Sequence, residues 1–530
     1  MSFKEYKTLD LIKVSDHISS FWKVDKTFEK SISSRDKKEF IFYEGPPSAN
    51  GMPGIHHVMA RAIKDIFCRY KTLKGFRVNR KAGWDTHGLP IELGVEKELN
   101  ISKEDIGSTI SIKDYNEACK KAVMKYTDVW NNLTERIGYW VDMENPYITY
   151  KSKYIESVWW LLKNLYDKKL IYKGYSVQPY SPKAGTGLSS HELNQPGTYQ
   201  DITDTTVTAQ FECVDESIPN FLKKYSKIYI LAWTTTPWTL PSNTALTVGE
   251  KIEYCLIKTY NLYTHQPINV VLAKELITKV FKTNFKEVLN QDELIFNNDK
   301  EIPYIVAETF LGKDIVGMKY HQIWDDSPLP NDSPENAFRL ISGDFVTTED
   351  GTGIVHTAPT FGADDAIAAK NAKPEVPPML IKNKNGDLVP LVDLQGKFVK
   401  ELGFLGGKFV KNEYYEEGKA PERSVDVEIA IKLKEENKAF RVEKYTHSYP
   451  NCWRTDKPIL YYPLNSWFIK VTEKREELIA LNNKINWKPK STGEGRFGNW
   501  LNNANDWNLS RSRFWGIPLP IWVSEDGSEK

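Results

Sequence analysis

The sequence is poor in cysteine, with five thiols in 530 residues. Cys68, Cys119, Cys213, Cys255 and Cys452 lie far apart. No pair has the spacing of a disulfide framework or a zinc knuckle, so a reducing cytoplasm is the expected location. Long apolar runs are also missing. Nothing approaches the roughly 18 consecutive apolar residues of a membrane span, so no membrane partner is expected. The opening "MSFKEYKTLDLIKV" lacks a signal-peptide pattern. Net charge is almost absent, at 71 basic against 70 acidic residues. That balance neither supports nor excludes a nucleic-acid partner, because patches decide and totals do not. Internal repeats and low-complexity segments are lacking too, which leaves an ordinary globular chain.

That chain is too long for one hydrophobic core, so about two to four domains are expected. In residues 1–195, "EFIFYEGPP" reads as a short strand (Phe40 to Tyr43) broken by Gly45-Pro46-Pro47. A helical pattern follows, with apolar residues at Met59, Ala62, Ile63, Ile66, Tyr70 and Leu73, ending at Lys74-Gly75. The piece "FRVNRKAGWD" reads as a second strand, and "ESVWWLLKNLYDKKLIYKGY" as a helix and a strand. Strand, Gly-rich turn, helix and strand open an α/β parallel sheet, where ligands bind at the carboxyl ends of the strands. Residues 196–411 change character. Short runs such as "KIYILAWTTT", "NVVLA", "PYIVA" and "GIVHTAP", separated by turn signals, read as a β-rich insertion. Residues 412–530 return to a helix, "DVEIAIKLKEEN", and further strand-like pieces.

"GIHH" (Gly54 to His57) falls at the start of the first long helix. Unpaired N–H groups and the helix dipole make such a start a natural phosphate site. Read alone, the two histidines are equally well capping or surface residues. Asp85, in "GWD", reads alone as a turn residue. Trp467 and Trp507 read alone as core residues, and Thr234, Thr235 and Thr236 as β-strand formers.

Taken together, "FYEGPPSANGMP", "GIHHVMARAIKD", "GWDTHGLPIE", "WTTTPWTLPSNTAL", "GTGIVHTAPTFGADD", "YPNCWRTDKPILYY", "SWFIK" and "RFGNWLNNANDWNLSRSRFWGIPLPIW" resemble, in order, the class I aminoacyl-tRNA synthetases. The isoleucyl branch is the nearest. Valyl enzymes differ in the "GWDTHGLP" stretch, and leucyl enzymes have Phe and Ala in place of Trp84 and Thr86. The resemblance implies a Rossmann-type nucleotide-binding domain interrupted by a large β-rich editing insertion. It implies formation of isoleucyl-adenylate from isoleucine and ATP with Mg2+, then transfer to tRNA(Ile), in a monomer. The runner-up readings are a valyl-tRNA synthetase and a non-catalytic substrate-binding portion. "SRSRFW" is open between a solvated basic edge and a phosphate or tRNA contact.

By the same resemblance, His56, His57 and Gly54 serve the nucleotide. Pro46, Pro47, Asp85 and His87 meet the amino acid, and Asp85 pairs its ammonium group, which needs a partner once desolvated. Trp467 and Trp507 wall the apolar side chain, and Gly498 and Asp506 contact the adenylate. One methylene is worth only about 1–3 kcal/mol in a hydrophobic pocket, a limit that the isoleucyl enzymes themselves exemplify. A second, hydrolytic site for valine is therefore expected. The resemblance gives it Thr234, Thr235 and Thr236 for the ester and a water, Asp365 for the ammonium group, and His356 for polar contacts near the tRNA end.

Three features depart from the family pattern. Relatives carry His-x-Gly-His where this chain has Gly54-Ile55-His56-His57. The spacing puts residues 54 and 57 on one face and 56 on another, so His56 is expected to swing across to supply the missing phosphate contact. Relatives that hold zinc use paired Cys-x-x-Cys elements, but here only Cys452 remains of them, so no structural zinc is expected. The sequence also stops before the family's Lys-Met-Ser-Lys-Ser loop.

Overall fold

A computed structural model describes residues 8–35, 38–297 and 301–524. Two compact units make up the chain, one of Met1–Ile171 with Arg513–Lys530 and one of Tyr172–Ser512.

In the first unit, α1 (Leu11–Asp25) and α2 (Thr27–Ser33) precede β1 (Glu39–Tyr43), α3 (Ile55–Leu73) and β2 (Arg77–Trp84). Then come α4 (Leu89–Leu99), α5 (Ile112–Val123), α6 (Thr127–Arg136), β3 (Asp142–Ile148) and α7 (Ser152–Asp167). The three strands form a parallel sheet in the order β1-β2-β3. Along β2 the inward residues Val78, Arg80, Ala82 and Trp84 are buried and Asn79 and Lys81 are exposed, the period of two of a strand with one covered face. Buried Glu92 of α4 accepts the backbone N–H groups of Phe514 and Trp515, both at 2.8 Å, and so ties the chain's last described segment to this unit.

The apolar stripe of α3 is not its buried face. The stripe Met59, Ile63, Ile66, Tyr70 and Leu73 faces outward, and Leu73 is 85% exposed. The buried residues are Arg61, Cys68 and Thr72, on the opposite side of the helix. That polar side can be buried because it is paired. Arg61 reaches Thr134 at 2.6 Å, and the Thr72 hydroxyl accepts from Arg80 at 2.8 Å. Periodicity identified which residues share a face, but the buried face is the one whose polar groups are hydrogen-bonded.

The second unit begins with β4 (Ile171–Ser181), β5 (Thr186–Gly187) and the short α8 (Ser190–Leu193). A ten-stranded sheet follows, including β6 (Tyr199–Glu212), β7 (Ile228–Thr234), β8 (Ala245–Val248), β9 (Glu253–Tyr260) and β10 (Pro267–Ala273). After the short α9 (Ile277–Val280), β11 (Phe285–Glu287), β12 (Ile302–Leu311), β13 (Arg339–Ser342) and β14 (Ile354–Thr357) extend it. Ile228, Ile230 and Leu231 of β7, Leu256 and Ile257 of β9, and Val270 and Val271 of β10 are fully buried. Such continuous apolar runs mark strands covered on both faces. α10 (Ala363–Asn371) lies after β14, and β15 (Leu380–Lys382) and β16 (Leu388–Pro390) form a ribbon. α11 (Val425–Glu435) leads to β17 (Ala439–Pro450), which runs antiparallel along β6 from Ala439↔Ala209 to Pro450↔Tyr199. β18 (Leu460–Ile469), α12 (Arg475–Asn482), α13 (Gly498–Asn502) and β19 (Trp507–Asn508) close the unit, with the sheet order β19-β18-β4-β5.

One buried residue ties strands of the ten-stranded sheet together. Asn261 donates to Gln210 Oε1 and Ala439 O, both at 2.8 Å. Its side-chain oxygen accepts from Tyr263 N (2.7 Å) and Thr264 N (3.0 Å). All four hydrogen-bonding positions of the amide are filled. Asn261→Ala strands the partners in a fully buried site. The expected loss is about 1–3 kcal/mol of stability in the second unit, read by urea unfolding.

Candidate functional site

The first unit brings the ends of its strands to the start of α3. Gly54 is the N-cap and has no side chain to satisfy the helix's free N–H groups. His57 reaches back instead. Its Nδ1 accepts the Gly54 N–H at 2.9 Å, so Nε2 carries the proton and remains a donor. Burial, followed by the neighbouring charges of His56, Arg61 and Lys64, pushes the His57 pKa down and keeps the ring neutral. Trp130 stands edge-on to it at 4.7 Å and donates its indole N–H to Gly51 O at 2.9 Å, which fixes the preceding loop. A Cβ on residue 54 would lie 2.9 Å from the Cε1 of His56, so the exposed His56 ring occupies the volume that a larger residue 54 would take. The two imidazoles are 3.8 Å apart at their centres.

The carboxyl ends of β1 and β2 meet beside this turn. Asp85 N donates to Pro47 O at 3.0 Å, and the exposed Asp85 carboxylate accepts a long contact from His87 N at 3.4 Å. Pro46 and Pro47 are half-buried. His87 rests against Trp515, and burial lowers its pKa. A charged cluster unread in the sequence lies below. Glu44, buried at the end of β1, accepts from Lys64 at 2.9 Å and from the Tyr139 hydroxyl, and Arg61 Nε stands 3.9 Å away. Its signal was available: a carboxylate directly before Gly45-Pro46, and two cations three residues apart on α3.

In the second unit, Ile469 of β18 pairs with Trp507 of β19. Trp467 lies two residues earlier, so both tryptophans share one face of the ribbon. Trp467 is half-buried and Trp507 exposed. Asp506 accepts from the Tyr172 hydroxyl (2.7 Å) and from Thr472 N and Oγ1 (3.0 and 2.7 Å). Burial opposes its charge, but these donors outweigh burial and hold its pKa below the usual range. Gly498 follows a π-helical turn, Thr492–Phe497, and a Cβ there would lie 2.6 Å from Gly493 O.

The same unit holds a cavity of about 420 Å³ lined by Thr234, Thr235, Thr236, Thr239, His356 and Asp365, with Trp233, Phe345 and Phe361 among its apolar walls. β7 ends at Thr234, so the following threonines emerge at a strand's carboxyl end. Thr236 N donates to Thr234 Oγ1 at 3.1 Å. His356 is buried with both ring nitrogens engaged. Asn243 Nδ2 donates to Nδ1 at 2.8 Å, so Nε2–H donates to Thr239 Oγ1 at 2.9 Å. Thr239 Oγ1 donates in turn to Thr236 O at 2.8 Å. Burial pushes the His356 pKa down to about 3, and the ring is a neutral brace. Asp365, in the first turn of α10, accepts Ala358 N at 2.8 Å, and burial pushes its pKa up to about 6. Thr239 and Asn243 were not singled out in the sequence, although both stand in the motif "WTTTPWTLPSNTAL".

The family model for tRNA synthetases class I (I, L, M and V) matches residues 17–530. The chain belongs to the class I tRNA synthetases. An isoleucine–tRNA ligase of Cytophaga hutchinsonii is 58% identical over 542 positions, covering 100% of this chain and 48% of its own length. That of Bacteroides fragilis is 57% identical over 546 positions, covering 100% and 47%. That of Clostridium tetani is 42% identical, covering 98% and 45%. The chain thus spans about half the length of the curated relatives it matches. Among the described residues of this synthetase chain, no group of three or more His, Cys, Asp or Glu is placed to hold a metal ion, and no helix is long and apolar enough to cross a membrane.

The cluster under the class I helix start yields a prediction. Glu44→Ala leaves Arg61 buried without its carboxylate, and such a loss costs about 3–5 kcal/mol. Urea unfolding of the first unit, followed by tryptophan fluorescence, should show that loss, and Glu44→Gln should show a smaller one.

Proposed function

We propose that this chain is the N-terminal portion of an isoleucine–tRNA ligase that also edits valine. The observation that carries the reading is the likeness along the whole chain to ligases of that name, at 57–58% identity for the two nearest relatives quoted. ATP enters as its Mg2+ complex. The isoleucine carboxylate attacks the α-phosphorus, the α–β anhydride bond breaks, and pyrophosphate leaves. A terminal ribose hydroxyl of tRNA(Ile) then attacks the adenylate carbonyl, and AMP leaves. No protein nucleophile is needed, so the residues act by position and charge.

In this reading the start of α3 serves the phosphates. His57 offers Nε2–H, and His56 takes the place of the side chain that Gly54 lacks. Asp85, beside Pro46 and Pro47, takes the ammonium group, and His87 follows it. Trp467 and Trp507 are assigned to the side chain, and Gly498 and Asp506 to the adenylate. Residues 196–411 form the editing domain. There Asp365 holds the ammonium group of a valyl ester, and Thr234, Thr235 and Thr236 hold the ester and a water. His356 braces the threonine wall. The enzyme works in the cytoplasm as a monomer.

Isoleucine-dependent exchange of pyrophosphate into ATP tests the synthetic half. Isoleucyl-adenylate analogues should also bind more tightly than valyl ones, by about 1–3 kcal/mol in calorimetry. Equal or reversed preference would favour a valyl enzyme. Binding without exchange, in a form that includes the rest of the relatives' length, would favour a substrate-binding protein.

A further inference from the structure

We infer that Asp426 is a positioning residue for the threonine wall of the cavity, fixing from behind the turn that carries Thr236 and Thr239. This rests on the ester-hydrolysis reading above. The turn Pro237–Ser242 is a short 3-10 helix whose first residue is proline and has no N–H. The next donor, Trp238 N, is therefore the first that needs a partner outside the turn. It finds one 188 residues away, since it donates to Asp426 Oδ1 at 2.9 Å in a buried position. Asp426 lies in the first turn of α11 and is only 3% exposed.

A carboxylate this deep needs a counter-charge. Buried Lys411 supplies it, 3.8 Å from Asp426 Oδ2 and 2.9 Å from Asp204 Oδ2. Asp204 is in turn 3.3 Å from His447 Nε2. The two carboxylates share one lysine but have different tasks. Asp204 bonds to Lys411 and His447 on the β6–β17 ribbon, whereas Asp426 spends an oxygen on the threonine turn. The ring of Trp238 also stands against Phe361 at 5.1 Å, and Phe361 lines the cavity. A shift of Trp238 would disturb two walls at once.

The test uses the full 530-residue chain, hydrolysing a valyl ester on tRNA(Ile), with kcat and KM read separately. Asp426→Ala should lower kcat about tenfold or more, the scale of a small misplacement at a reacting centre. Asp426→Asn keeps an oxygen for Trp238 N and should retain most of the rate. Asp204→Ala removes the other partner of Lys411. It should lower the melting temperature but leave kcat near the parent value. Equal loss in Asp426→Ala and Asp204→Ala, or full activity in Asp426→Ala, overturns the inference. A parent that hydrolyses no ester refutes the editing reading instead. In that event, amide exchange of Trp238 in the parent still decides the anchor. Slow exchange supports it, and an unprotected Trp238 N–H overturns it, with no variant required.

Discussion

A helix or tight turn begins with backbone N–H groups that it cannot satisfy itself, and a buried start must borrow acceptors. The candidate sites of this chain are built on that debt. At α3 the cap is glycine, so His57 folds back to accept Gly54 N–H, and this one bond sets the tautomer of the ring. In the loop between β14 and α10 the N–H in need of a partner is that of Ala358, and Asp365 turns back to accept it and is thereby held at the cavity. At Pro237–Ser242 the acceptor comes from α11. In each case a polar side chain is aimed by the backbone it satisfies, which is less costly to keep rigid than a side chain held only by other side chains.

The two regions use opposite polarity. The α3 start gathers donors, His57 Nε2–H and the helix's own N–H groups, and beneath them Lys64 and Arg61 face a single carboxylate, Glu44, which leaves one positive charge in excess. That set suits an anion. The cavity in the second unit carries carboxylates at Glu349, Asp350 and Asp365 and no lysine or arginine among its described lining residues, and Lys279, outside that lining, offsets Asp350 at 3.7 Å. That set suits a cation. His356 does not break this pattern, because burial keeps it neutral and both its nitrogens are spoken for. The reaction proposed above, with phosphates handled in one unit and an ammonium ester in the other, would call for this division of charge.

Much of this was legible from residue order. β1, β2, β7 and β10 fall on the runs that periodicity marks, because β-branched and aromatic residues between turn signals have few alternatives. The threonine run and Asp365 stood out as motif residues and line one cavity. What was not legible has a common cause. The apolar stripe of α3 faces outward, because pattern shows which residues lie together and not what covers them. Asn243 and Asp426 act through partners distant in sequence. Asp426 and Trp238 are 188 positions apart, and no local spacing carries that pairing.

The central claim is that the cavity of the second unit is a cation site centred on Asp365. Its direct test is the titration of that carboxyl by 13C NMR, without and with a valyl-adenosine analogue. Burial raises the Asp365 pKa to about 6, so the carboxyl loses its charge as pH falls through about 6, and binding of an ammonium group weakens over the same range. A bound ammonium group favours the carboxylate, so the ligand must pull the pKa down. A carboxyl that titrates in the ordinary aspartate range, with no response to the ligand, would contradict the account.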